Sequence, residues 1–64
     1  MVFEIEDVEC FWENDKSIGV RGGIFDDTQF IPKSQIHDDS EVYKKHMSGK
    51  LIINEWFAEK KGWV

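Results

Sequence analysis

One stretch of the chain gathers side chains that bind divalent metals: His37, Asp38, Asp39 and His46 offer imidazole nitrogen and carboxylate oxygen. Adjacent Asp38 and Asp39 point to opposite sides of an extended chain, and no fixed spacing returns His46 to them. The stretch therefore reads as a solvated loop, and neither metal nor cofactor is expected. Cys10 together with either histidine has the composition of a nucleophile and its base. A lone Cys inside a strand is more often a small core residue, so no catalytic residue is expected and the chain reads as a non-enzyme. Gly19, Gly22 and Gly23 form no phosphate loop, since neither a Gly-Lys-Ser/Thr sequence nor a helix start follows them. They read as bends in a strand.

Binding chemistry is better represented. Phe11, Trp12, Phe25 and Phe30, with Lys16, Arg21 and Lys33 between and beside them, have the composition of a face that stacks single-stranded bases. Opposed to this is the charge around them. Residues 1–32 carry eight acids and two bases, while residues 33–64 carry five acids and six bases. Affinity for nucleic acid grows with the counterions released from phosphates, so an acidic half works against it. Glu4, Glu6, Glu9 and Glu13 instead suit a basic protein surface, with Glu4 and Glu6 in one strand register. Most rings are also needed inside so short a chain. Trp56 and Phe57 are expected to close the core, and Lys60 and Lys61 to be helix-end charges.

The elements that would position these residues follow from pattern and turn chemistry. Val2 to Trp12 alternates with Phe3 and Ile5 in one register and Val8 and Cys10 in the other, which predicts a bulge or bend near Glu6-Asp7. Glu13-Asn14-Asp15-Lys16 is a turn, and Ser17 to Arg21 is a second strand with Ile18 and Val20 on one face. Gly22-Gly23 relaxes the chain, Ile24-Phe25 continues or restarts the strand, and Asp26-Asp27 turns it into a third strand, Thr28 to Pro32. Pro32 cannot donate to a ladder, so that strand ends there or lies on an edge.

Ser34 to Gly49 predicts a long loop with at most a short helical turn over Glu41–Lys45, and Lys50 to Ile53 a buried strand. Asn54 is an N-cap for a helix over Glu55–Lys61, with an acid in its first turn, two bases in its last and Gly62 as its stop. Trp63 follows as the apolar residue of a Schellman end. Four strands and a terminal helix describe a mainly β, α+β domain spanning residues 1–64. Its form is a small bent antiparallel sheet or an SH3/OB-like barrel.

Size and compartment narrow the function. The 64 residues carry a net charge of −5, and nine of them are aromatic. A domain this short buries only about 60% of the surface its unfolded chain exposes, so stability rests on few side chains. One cysteine cannot form an internal disulfide, no zinc spacing is present, and the acidic start is unlike a secretory signal. A cytoplasmic protein is expected.

Phe30-Ile31-Pro32-Lys33-Ser34-Gln35-Ile36, followed by Gly49 to Gly62 with Glu55-Trp56-Phe57-Ala58-Glu59-Lys60-Lys61-Gly62 at its end, resembles a pattern of small phage and prophage proteins. There an aromatic-Ile-Pro-x-Ser-x-Ile strand end precedes a short strand and Pro-Glu-Trp-Leu-Ala-x-Lys-x-Gly. The resemblance covers roughly half of the chain, with Asn54 in place of Pro and Phe57 in place of Leu. It implies a context of phage replication and recombination proteins in a bacterial host. The expected function is an interaction module that docks on a replication, recombination or host protein through a strand edge or aromatic patch. One variant is an acidic inhibitor of a basic groove, and the alternative is a weak OB-like binder of single strands.

Overall fold

The computed structural model describes residues 1–64. Its elements are β1 (Val2–Glu13), β2 (Ser17–Gly22), β3 (Phe25–Pro32), a 3₁₀ turn (Lys33–Gln35), β4 (Ser48–Asn54) and α1 (Glu55–Lys61). The strands form one open antiparallel sheet in the order β3-β2-β1-β4. No barrel closes, because β3 and β4 remain unpaired with each other. A single bridge, Ile36 to Ile53, lies along the outer side of β4, with His37 and Glu41 N–H donating to the Ile52 and Lys50 carbonyls. No helix is long and apolar enough to cross a membrane.

β1 bends where its register shifts. Between Ile5↔Leu51 and Val8↔Gly49 the ladder is broken, and Asp7 sits at φ 59°. Aspartate tolerates this left-handed conformation better than most residues. The bulge keeps Phe3, Ile5, Val8 and Cys10 directed inward despite the change of register. Asn14 closes the β1–β2 turn, its Oδ1 accepting the N–H groups of Lys16 (2.9 Å) and Ser17 (2.7 Å).

The β2–β3 turn differs from expectation. It is a two-residue turn at Gly23-Ile24, flanked by the Gly22↔Phe25 pair, and Asp26-Asp27 lie within β3. The next pair is Val20↔Gln29, so Asp26, Asp27 and Thr28 together oppose Arg21. Two adjacent aspartates disfavour a regular ladder in either setting, and here they mark a bulge rather than a reversal. Gly22 and Gly23 take φ 89° and 56°, which a Cβ would strain.

No helical turn forms over Glu41–Lys45. Ser40 fixes this segment instead: its buried hydroxyl donates to the Val42 carbonyl (2.8 Å) and accepts the Ile52 N–H (3.0 Å). Val42 is thereby inserted into the core. The remaining core is Ile5, Val8, Cys10, Ile18, Val20, Ile31, Leu51 and Ile53 from the sheet, with Phe57 and Ala58 from α1.

α1 begins and ends at the expected residues, although its start is held differently. Asn54 occupies the N-cap without a side-chain capping bond, and its Nδ2 donates to Gln35 Oε1 (3.1 Å). Gly62 at φ 79° and Trp63 complete a Schellman end, Trp63 N–H donating to the Ala58 carbonyl (2.9 Å). Trp56, expected in the core, is instead 63% exposed. Successive helix residues are about 100° apart. With Phe57 and Ala58 facing the sheet, Trp56 falls on the flank. Trp63 takes its place, lying 5.8 Å from the Phe57 ring and 4.7 Å from the Phe25 ring.

Candidate functional site

Three residues face one another across the outer side of the sheet: Trp12 on β1, Gly19 on β2 and Phe30 on β3. Strict alternation from inward-facing Cys10 would send Trp12 inward as well. The register shift between Cys10 and Trp12, with Phe11 as the extra residue, turns it outward. Trp12 and Phe30 meet edge to face over Gly19, with centroids 5.3 Å apart and planes at 87°. A Cβ on Gly19 would lie 3.1 Å from Trp12 Cβ and 3.3 Å from Phe30 Cε1, so the missing side chain leaves room for this pair. Both rings stay accessible, Trp12 at 38% and Phe30 at 56%.

The seven residues of the suggested base-stacking face are not brought together. Phe25 is half-buried against Trp63, on the core side. Phe11 is also half-buried, with Arg21 Cζ 4.8 Å from its centroid. Arg21 pairs with Glu9 (3.0 Å) and Lys33 with Glu13 (2.6 Å), which leaves Lys16 as the one base of the three without a carboxylate partner.

The four glutamates of the suggested acidic face are likewise spoken for. Besides Glu9 and Glu13, Glu4 and Glu6 lie 3.4 and 3.5 Å from Lys50 Nζ. Lys50 is held protonated to higher pH than usual, chiefly by its hydrogen bond and attraction to Glu4 and then by Glu6. Sequence reasoning missed these pairs because each depends on the register between strands. They are largely exposed, so they add little to stability, yet three bases offset most of the charge that a basic partner would feel from the four glutamates.

Glu13 is the most tightly held of the four. Its carboxyl titrates below the ordinary value of 4.5, first because of the Lys33 ammonium and then because it accepts the Lys45 N–H (3.2 Å). A lowered folded value gives stability that is present above 4.5 and lost as pH falls through the lowered value. Glu13→Gln should therefore lose less stability than the parent on acidification below about 4.5. Urea midpoints measured across that range check this, and parallel curves for the two proteins would refute it.

An open cleft of about 490 Å³ lies beside this ion pair, lined by Glu13, Lys33, Ile36, His37, Asp38, Tyr43 and Lys44. His37 Nδ1 accepts the Asp39 N–H (3.1 Å), closing the Asp38-Asp39 turn. His46 is at φ 75° in a separate turn, its N–H donating to the Cys10 carbonyl. No three His, Cys, Asp or Glu side chains converge on one point. Cys10 is buried, and burial raises its thiol pKa. Its Sγ donates to the Trp12 carbonyl at 3.2 Å. Cys10 thus anchors the strand beneath Trp12.

Trp56, Phe57 and Ala58 are consecutive, and three consecutive helix residues cannot all face one sheet, but that constraint alone does not say which of them is left outside. Compared with known proteins, the chain matches no family model, no curated protein and no solved structure.

Proposed function

We propose that the chain is a non-enzymatic interaction module that docks on another protein through Trp12 and Phe30. The observation that carries this is the exposed edge-to-face pair lying across three hydrogen-bonded strands. Tryptophan-rich rigid patches dominate binding energy at protein interfaces, since large apolar area is presented at little entropic cost. Of the proposed acidic inhibitor, the charge component is weakened, because Glu4, Glu6, Glu9 and Glu13 already have bases within the chain. Recognition is therefore assigned to the rings. The resemblance to small phage proteins supplies the context: a replication, recombination or host protein in the bacterial cytoplasm.

The test compares the immobilised parent with a Trp12→Ala/Phe30→Ala double variant in host lysate. A protein retained by the parent should be lost from the variant, while the variant's circular dichroism and melting cooperativity remain. Equal retention by both would refute the reading.

One observation favours single-strand binding as a second reading, namely Arg21 lying over the Phe11 ring beside the Trp12–Phe30 pair. A labelled dT oligonucleotide at low salt should bind no better than about 10⁻⁴ M. Micromolar affinity that is abolished by Trp12→Ala would reverse the preference between the two.

A further inference from the structure

We infer that a second surface, formed by Trp56 with Glu55 and Glu59, receives a basic side chain of the partner, an arginine or lysine. This deepens the docking role proposed for the chain and rests on it. Trp56 is the most exposed aromatic residue, at 63%, and contributes nothing to the core. A shallow cleft of about 370 Å³ runs beside it, lined by Met1, Asn54, Glu55, Trp56 and Glu59. No lysine, arginine or histidine side chain lines this cleft.

Glu55 and Glu59 lie one helical turn apart, on either side of Trp56 in sequence, and neither makes an ion pair. They differ in this from every glutamate of β1. The wall opposite is fixed by the Asn54–Gln35 hydrogen bond and by Glu55 N–H donating to the Met1 carbonyl (3.2 Å). Lys60, one helical turn on, holds its Nζ 5.2 Å from the ring centroid, so an incoming cation takes the face that Lys60 leaves open. An aromatic face with two unpaired carboxylates is complementary to an ammonium or guanidinium on an apolar stem. A neutral or acidic group would gain nothing from the carboxylates.

The probe is a blocked hexa-arginine peptide, titrated at about 0.15 M salt, where exposed charges more than about 8 Å apart are largely screened, into the full ¹⁵N-labelled chain, with a hexa-glutamate peptide as comparison. The Trp56 indole signal and the Glu55 and Glu59 amides should shift and saturate with hexa-arginine alone. Trp56→Ala should weaken binding about threefold to tenfold, its otherwise retained amide spectrum showing that it is folded. Glu55→Gln/Glu59→Gln should weaken it as well. The charge-matched Asp26→Asn/Asp27→Asn variant should stay within about twofold of the parent, as screened distant charges do.

Unsaturated shifts spread over Asp26, Asp27 and Asp15, or equal affinity for the parent and Trp56→Ala, would overturn the assignment. So would equal losses in the two charge-neutralised variants. Lysate capture with the Trp12→Ala/Phe30→Ala variant reports on the other surface, so failure of one reading is distinguishable from failure of the other.

Discussion

Phe57→Ala should cost about 3 to 5 kcal/mol, whereas Trp56→Ala should change stability by no more than about 1 kcal/mol. Phe57 is 7% exposed and joins α1 to the sheet, with the Trp63 ring 5.8 Å away. Truncation removes its own burial and leaves a cavity under Trp63 as well. Native domains have only about 5 to 15 kcal/mol of stability, and this small chain belongs near the lower end. Much of the Phe57→Ala population should be unfolded at room temperature. Trp56 lies outside the core and is mostly exposed, so little packing is lost with it, and alanine is the better helix former. Urea unfolding of both variants decides the matter. Similar losses in the two would mean that α1 packs with a different face toward the sheet.

Gly23→Ala should be comparably severe, at about 2 to 5 kcal/mol, for a different reason. Gly23 sits at φ 56° in the β2–β3 turn, and its N–H donates to the Asp7 carbonyl (3.0 Å) at the bulge of β1. An added Cβ would lie 2.7 Å from Ile5 Cγ2, 2.8 Å from the Glu6 carbonyl oxygen and 3.0 Å from Val8 Cγ2. The carbonyl cannot move without breaking the bulge, so turn and strand must separate. Gly62→Ala provides the control. Its φ is 79°, but nothing lies within 4 Å of the new Cβ. It should lose about 1 kcal/mol, from backbone strain alone. Equal midpoints for the two variants would show that collision with β1 plays no part.

What was legible in the sequence was local. The shift from Phe3 and Ile5 to Val8 and Cys10 located the first bulge, because inward residues must change register there. Asn54, Gly62 and Trp63 bounded the helix, since caps and stops act over one turn. Asp26-Asp27 misled because the same residues suit a turn and a bulge, and only pairing with β2 distinguishes them. Ser40 and Val42 looked like loop residues. Their burial depends on Ile52 supplying an N–H from ten or more positions away.

The candidate site was less legible than the fold. Its rings were identified, but which of them face solvent depends on strand pairing: the register shift at Phe11 turns Trp12 away from the core, while Phe25, paired with Gly22, packs on the core against Trp63. Likewise, the charges were counted, yet their partial neutralisation arises from Glu9 standing opposite Arg21 and Lys50 reaching Glu4.

β3 is unpaired along its outer side, and a free strand ordinarily invites another chain to extend the sheet. Here the first part of that strand is thrown out of line by the Asp26–Thr28 bulge and carries two like charges, while Pro32 at its end has no N–H to offer. Little straight, donor-complete backbone remains between them. A partner docking on Trp12 and Phe30, as proposed, must therefore approach from the outer face of the sheet rather than along the β3 edge. Such contact needs no particular backbone conformation in the partner, so a helix, a loop or a folded domain could meet it equally well.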